Sequence, residues 1–214
     1  MRPTHLPSYA LIREWPAFTK AAPMRVMTSA CIGGELCGVD GSSNGEYPLA
    51  RRLLALPNVH VVKFCPEHEA FGTPRRTPDL LGGDGFDVLD GRARVVNDSG
   101  EDWTQGLVTA STTMRDRALE QAVHVALLMD ISAACGSTVI YDGPRRLKVY
   151  QRGPGVAAAA LMRAGIPIVS QRDERTLALL FAKLGVTADG NLLSDGFDHY
   201  ERAWYRDYFA NHLA

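Results

Sequence analysis

Val26-Met27-Thr28-Ser29-Ala30-Cys31 is a short β-rich run that stops on a cysteine. The same arrangement returns further along the chain. Glu46 to Leu56 carries Leu49, Leu53, Leu54 and Leu56 at roughly helical spacing, and Pro57-Asn58 stops it. Val59 to Phe64 then reads as a second strand, and Cys65 follows at once. Asp102 or Thr104 can cap a helix that runs to about His124. Val125 to Asp130 is a third buried strand, with Cys135 five residues beyond it. Thr138 to Tyr141 reads as a short strand. Gly153-Pro154-Gly155 opens a helix through Ala164 that Gly165 ends, and Ile166 to Val169 is a fourth core strand. This alternation predicts an α/β fold: a Rossmann-like single domain with a parallel sheet and helices on both faces.

Gly72 to Gly85 has no period and reads as a long loop. Phe86 to Leu89 and Arg92 to Asn97, joined by Asp90-Gly91, predict a small β-hairpin insertion. Residues 1–24 form an N-terminal extension, 25–171 the core domain, and 172–214 a C-terminal helical extension. Pro3, Pro7, Pro16 and Pro23 make the first segment poor in regular structure, with Trp15 and Phe18 pinning it to the surface. Arg172 to Leu184 and Asp195 to Leu213 read as closing helices. The second carries Phe197, Tyr200, Trp204, Tyr205, Tyr208 and Phe209, an aromatic face suited to the core or to a homodimer.

The 214 residues are enough for a domain that folds without disulfide staples. Lys+Arg is 23 and Asp+Glu is 24, a net charge of -1, which argues against a protein held to nucleic acid by bulk positive charge. No apolar run approaches a membrane span, and the first residues do not read as a secretory signal. A cytoplasmic protein keeps its thiols reduced, so its cysteines call for a role other than disulfides.

In an open parallel sheet, functional groups collect at the carboxyl ends of the strands. Cys31, Cys65 and Cys135 are therefore expected to converge, although they lie far apart in sequence. Thiolates on strand-end loops suit zinc or an iron–sulfur cluster. The close Cys pairs usual in structural zinc sites are absent. A four-iron cluster on three thiolates leaves one iron open as a Lewis-acid site. Cys37, in the Gly-rich loop 33–41, is set apart as a bystander. Glu67, Ser132, Ser29 and Asp40 sit near these cysteines and can handle protons or polar contacts.

Taken as an ordered set, Ser29-Ala30-Cys31-Ile32-Gly33-Gly34, Cys65-Pro66-Glu67, Thr73-Pro74-Arg75, Ser132-Ala133-Ala134-Cys135-Gly136, Tyr141-Asp142-Gly143 and Gly153-Pro154-Gly155-Val156 resemble the thiouracil desulfidase family over roughly Arg25 to Ser170. The resemblance implies a cytoplasmic α/β domain holding a [4Fe-4S] cluster on Cys31, Cys65 and Cys135. It also implies non-redox removal of sulfur from a thiolated pyrimidine such as thiouracil or 4-thiouridine monophosphate. Glu67 and Ser132 are then the expected catalytic pair, and Ser29, Asp40, Arg75 and Gly136 the expected substrate contacts. Arg75 and the Arg145-Arg146 pair are candidates for an anion.

The chain departs from the family where Ser-Pro-Ser-Cys becomes Ser132-Ala133-Ala134-Cys135. Met129 and Ile131 stand where the family often has Lys and Arg, and His68 to Gly72 replaces Gly-Gly-Leu-Pro. Two other classes fit the cysteines: a cluster- or zinc-binding interaction module without catalysis, and a desulfidase acting on thiolated tRNA. The net charge and the lack of an appended basic domain count against tRNA. The expected partner is a small thiolated base or nucleotide, with no membrane.

Overall fold

A computed structural model describes residues 8–43, 47–187 and 207–210. Four strands form a parallel sheet in the order β2-β1-β5-β8: β1 (Met24–Ser29), β2 (Val59–Phe64), β5 (Val125–Leu128) and β8 (Ile168–Ser170). In register, Val26 lies beside Val61 on one side and Val125 on the other, and Ala126 lies beside Ile168. The strand after β1 pairs on one side of it and the later core strands on the other. The chain thus reverses direction across the sheet between β1 and β5, and ligands of open α/β sheets bind outside the carboxyl ends at that point.

Alternate residues of each strand feed two cores, as the two-residue period of a strand requires. Met27, Phe64, Ala126, Leu128 and Ile168 pack with α5 (Thr104–Glu120) and α6 (Val156–Arg163) on one face. Met24, Val26, Val125, Leu127 and Val169 pack with α1 (Ser8–Arg13), α2 (Pro48–Leu54) and α7 (Glu174–Lys183) on the other. Helices on both faces of one parallel sheet make this a single α/β domain, as the alternation of strands and helices predicts. No helix among the described residues is long and apolar enough to cross a membrane.

Local chemistry sets the helix starts. Pro48 and Pro66 stand in the first turns of α2 and α3 (Pro66–Phe71), where the missing N–H costs no hydrogen bond. The Asp173 carboxylate accepts from the Thr176 N–H at 2.9 Å and caps α7.

The predicted hairpin is corrected. Phe86 to Leu89 is helix, α4 (Gly85–Leu89), and not strand. Asp84 accepts from the Phe86 and Asp87 N–H groups while its own N–H donates to the Asp87 carboxylate, a reciprocal cap that nucleates a helix turn. Asp90-Gly91 then ends that helix, with Gly91 at φ 72°, a conformation glycine adopts without a Cβ penalty. The hairpin insertion exists with a different partner. β4 (Arg94–Asn97) pairs antiparallel with β3 (Pro78–Leu81), which lies inside the segment read as loop. A second antiparallel pair joins β6 (Val139–Tyr141) to β7 (Tyr150–Arg152).

The N-terminal segment carries more structure than its prolines imply. Ile12 of α1 is fully buried, and Trp15 and Phe18 pack on the same core. Lys183 of α7 donates to the Arg13 carbonyl at 2.7 Å and also to that of Trp15, so the two helix ends are joined by one ammonium. In the C-terminal segment, Tyr208 and Phe209 pack inside the chain against Val139 and Tyr150. Phe197, Tyr200, Trp204 and Tyr205 lie outside the described residues.

Candidate active site

Chain ends of β1, β2, β5 and β8 frame a cavity of about 850 Å³. Cys31, Cys37, Cys65 and Cys135 all line it, together with Ser29, Asp40, Glu67, Arg75, Ser132, Tyr141, Arg145, Tyr150 and Arg172. The cysteines that follow the three strands therefore share one cavity. No disulfide joins the thiols.

Each cysteine is positioned by its own loop. Cys31 opens the turn after β1, where the Ile32 and Gly33 N–H groups return to the Ser29 carbonyl. Cys65 is the N-cap of α3, and its sulfur accepts from the His68 N–H at 3.4 Å. Cys135 lies in the loop after β5, in a turn held by Ser132: the Ser132 hydroxyl accepts from the Cys135 N–H at 3.0 Å, and its carbonyl from the Gly136 N–H at 2.8 Å. Asp130 fixes the far side of this loop. One of its carboxylate oxygens accepts from the Ser137 N–H and hydroxyl, both at 3.1 Å, and from the Thr138 N–H at 3.3 Å.

The same loop is docked on the N-terminus of α6. The Val156 and Ala157 N–H groups donate to the Ala133 and Ala134 carbonyls, each at 2.9 Å, which satisfies first-turn donors that a helix cannot pair internally. The approach is close enough to require glycine at 155, since a Cβ there would stand 2.6 Å from the Ala134 carbonyl group. Gly155→Ala is expected to push the Cys135 loop away and destabilise the fold by about 1–3 kcal/mol, the usual cost of overpacking. A urea midpoint equal to that of the wild type would show that the loop accommodates the methyl group.

Cys37, which the sequence leaves as a bystander, lines the same cavity. It is buried, and its thiol hydrogen-bonds with those of Cys31 and Cys65. Those two bonds, more than burial, push its titration up. The same contact draws Cys65 down, whereas burial and then the neighbouring Cys65 charge push Cys135 well up. The signal available in the sequence was a second cysteine in a Gly-rich loop that must return to the sheet.

Glu67 and Ser132 are brought together. The Ser132 hydroxyl lies 3.3 Å from Glu67 Oε1. The other carboxylate oxygen, Oε2, is held by Arg75 through Nη2 at 2.7 Å and Nε at 3.3 Å. Both side chains are largely enclosed, Arg75 at 3% exposure and Glu67 at 12%. Arg75 Nη1 donates to the carbonyls of Cys37 at 3.0 Å and Gly72 at 3.1 Å and to the Thr73 hydroxyl at 3.0 Å. The structure thus gives Arg75 a different task from the anion contact expected of it. Its donors are committed to clamping Glu67 and tying the Cys37 loop to the loop before β3.

The remaining expected contacts divide. Asp40 lines the cavity with an exposed side chain, and its bonds to Ser42 hold its carboxyl below the usual range. Ser29 lines the cavity but is buried, and its hydroxyl accepts from the Met129 N–H at 3.0 Å, joining β1 to the Cys135 loop. Gly136 faces protein instead: a Cβ there would stand 2.6 Å from Ile140 and 2.7 Å from the Ser132 carbonyl oxygen. Close packing explains that glycine. Arg145 of the Arg145-Arg146 pair reaches the cavity, where Arg172 joins it, and neither makes an ion pair among the described residues. The Arg145 N–H donates to the Asp79 carboxylate at 2.9 Å, which anchors its loop.

The sequence model of the 2-thiouracil desulfurase family matches residues 26–173. The uncharacterized protein YbbK of Bacillus subtilis (strain 168) is 34% identical over 149 residues, which is 69% of this chain and 96% of that protein. The solved structure of the [4Fe-4S]-dependent thiouracil desulfidase TudS superposes with a TM-score of 0.61 at 30% identity, covering 74% of this chain and 98% of that one. The matched region contains all four cysteines, Glu67, Arg75 and Ser132. This chain belongs to the 2-thiouracil desulfurase family.

Proposed function

We propose that this protein is a [4Fe-4S]-dependent desulfidase that replaces the sulfur of a thiolated pyrimidine, of the thiouracil or 4-thiouridine monophosphate type, with oxygen from water. The observation that carries this reading is the meeting, in one cavity, of a thiol set with a carboxylate–hydroxyl pair. The donor set suits a cluster: the groups are soft thiols, placed on separate strand-end loops.

Cys31, Cys65 and Cys135 would hold the cluster, and the chemistry it supplies when bound is Lewis acidity toward the substrate sulfur at an iron without a protein thiolate. The protein groups do the rest. Glu67 takes a proton from the water that attacks the ring carbon and returns it as the sulfur leaves as sulfide. Atoms balance as thiolated pyrimidine plus water giving oxo-pyrimidine plus hydrogen sulfide. The Arg75 clamp on Oε2 leaves Oε1 to face Ser132, whose hydroxyl orients the water or the base edge. Asp40 is a candidate for the polar edge of the base. Arg145 and Arg172 are candidates for a phosphate if the substrate is a nucleotide.

A small base or nucleotide, rather than tRNA, suits a cavity of this size and a chain with net charge -1. A cytoplasmic setting suits reduced thiols. Anaerobic purification followed by iron, sulfide and zinc analysis tests the cofactor. A cluster of the type bound by TudS requires about four iron atoms and four sulfides per chain. A colourless protein carrying zinc would support the interaction-module reading instead.

A further inference from the structure

The family match ends at residue 173, yet two residues beyond it pack against the wall of the cavity. Residues 207–210 form a helical turn, and Phe209 within it is 4% exposed. Phe209 and Val139 form the centre of a small apolar cluster against which Ile131, Tyr150 and Tyr208 pack. The Tyr150 N–H donates to the Tyr208 hydroxyl at 2.8 Å, and the two rings meet edge to face at 5.2 Å between centroids. The Arg152 guanidinium lies 5.0 Å from the Phe209 ring centroid. Both ends of β7 are therefore gripped by the C-terminal segment.

The residues held in this way face the cavity. Ile131 and Tyr150 line it, and so does Tyr141, whose ring lies 4.9 Å from that of Tyr150. Ile131 has φ 55°, in the left-handed region, where a β-branched side chain is an outlier. Such a conformation persists only when its surroundings over-determine it. Here the Ile131 N–H donates to the Val139 carbonyl at 3.1 Å, and the side chain is seated on the Val139–Phe209 cluster. Ser132 is the next residue.

We propose that Tyr208 and Phe209 are positioning residues for substrate specificity: they hold Ile131 and the β6–β7 hairpin so that Ile131, Tyr141 and Tyr150 form one wall of the substrate cavity. The proposal rests on the desulfidase reading for what fills the cavity. It gives the C-terminal segment a task in this chain that lies outside the region matched by the family.

The test uses the full-length, anaerobically purified protein with 2-thiouracil and 4-thiouridine monophosphate as substrates, beside hydrogen exchange of the β6–β7 amides. In Phe209→Ala, KM for the substrate that the wild type turns over is expected to rise about tenfold, the lower end of what a lost pocket contact costs. The kcat should stay within about threefold, since no catalytic group is removed, and iron content should be unchanged. The Tyr150 amide should lose protection by about tenfold or more. Tyr208→Phe removes only the hydroxyl that receives the Tyr150 N–H, and is expected to raise KM about threefold. It keeps the proposal testable if Phe209→Ala does not fold.

Unchanged KM and unchanged Tyr150 exchange in a folded variant would overturn the proposal. So would a loss of iron and kcat at constant KM, which would make these residues supports of the Cys135 loop. An iron-loaded wild type that turns over neither substrate contradicts the desulfidase reading, and the exchange measurement still decides whether Tyr208 and Phe209 hold the hairpin.

Discussion

Cys135→Ser is expected to lose iron and desulfidase activity together. A hydroxyl is a hard, weakly acidic group and a poor ligand for iron in place of a thiolate. Cys135 is buried, its turn is fixed by Ser132 and Asp130, and its loop is docked on α6, so the backbone cannot shift to bring another donor into place. Iron per chain should fall well below that of the wild type, with activity below detection, in a protein of wild-type far-UV circular dichroism. Cys37→Ser is the companion measurement. The three-ligand assignment expects it to retain iron, and a comparable loss there would make Cys37 a ligand. Retention of full iron and activity by Cys135→Ser would remove it from the set.

Glu67→Gln is expected to behave in the opposite way: iron and colour retained, and kcat reduced on the order of 10²–10⁴, the usual span for general acid–base catalysis. The side-chain geometry can survive the change. A Gln oxygen still accepts from the Arg75 guanidinium, and the amide nitrogen can donate to the Ser132 oxygen on the other side. What the amide cannot do is take and return a proton near neutral pH. Iron analysis and single-turnover kinetics on the same preparation separate the two variants. Full activity in Glu67→Gln would move the base to another group, with Asp40 or Glu69 next. Loss of iron would make Glu67 a structural or ligand residue.

The elements that carry the site were legible because their signals are local. Val26 to Ala30, Val59 to Phe64 and Val125 to Asp130 are apolar, β-rich runs with turn residues after them, and a parallel sheet places their carboxyl ends on one edge whatever the loops do. That alone brings Cys31, Cys65 and Cys135 to one cavity. Asp90-Gly91 was ambiguous by its chemistry: a residue pair that tolerates positive φ serves a hairpin turn and a helix end equally well. The decisive residues were Asp84 and Asp87, whose three-residue spacing marks a reciprocal helix cap. β3 was hidden because its four residues begin with Pro78 and end before Gly82, too short a run to show a period.

The contacts of Cys37 and Arg75 were not legible in the sequence for a common reason. Their placement depends on one long-range contact, the Arg75 guanidinium on the Cys37 carbonyl, reinforced by the Arg75 N–H on the Val39 carbonyl at 2.9 Å. No spacing rule predicts that two Gly-containing loops 38 residues apart will share one cation. An arginine near a presumed anion site reads as a substrate contact until its bonds to Glu67 and to the loop carbonyls are seen. Likewise the clasp of Tyr208 and Phe209 on β7 was invisible to periodicity, which marked those aromatics as a buried or interfacial face without saying which surface they meet.

The most direct test of the desulfidase reading is sulfide release from 2-thiouracil and 4-thiouridine monophosphate by anaerobically prepared, iron-loaded protein, measured beside the same preparation after its iron is removed by chelation. The expected result is one equivalent of sulfide for each oxo-pyrimidine formed from at least one substrate, continuing over many turnovers, and no product from the iron-depleted sample. Iron-loaded protein that forms no oxo-pyrimidine, or equal turnover with and without iron, would contradict the account.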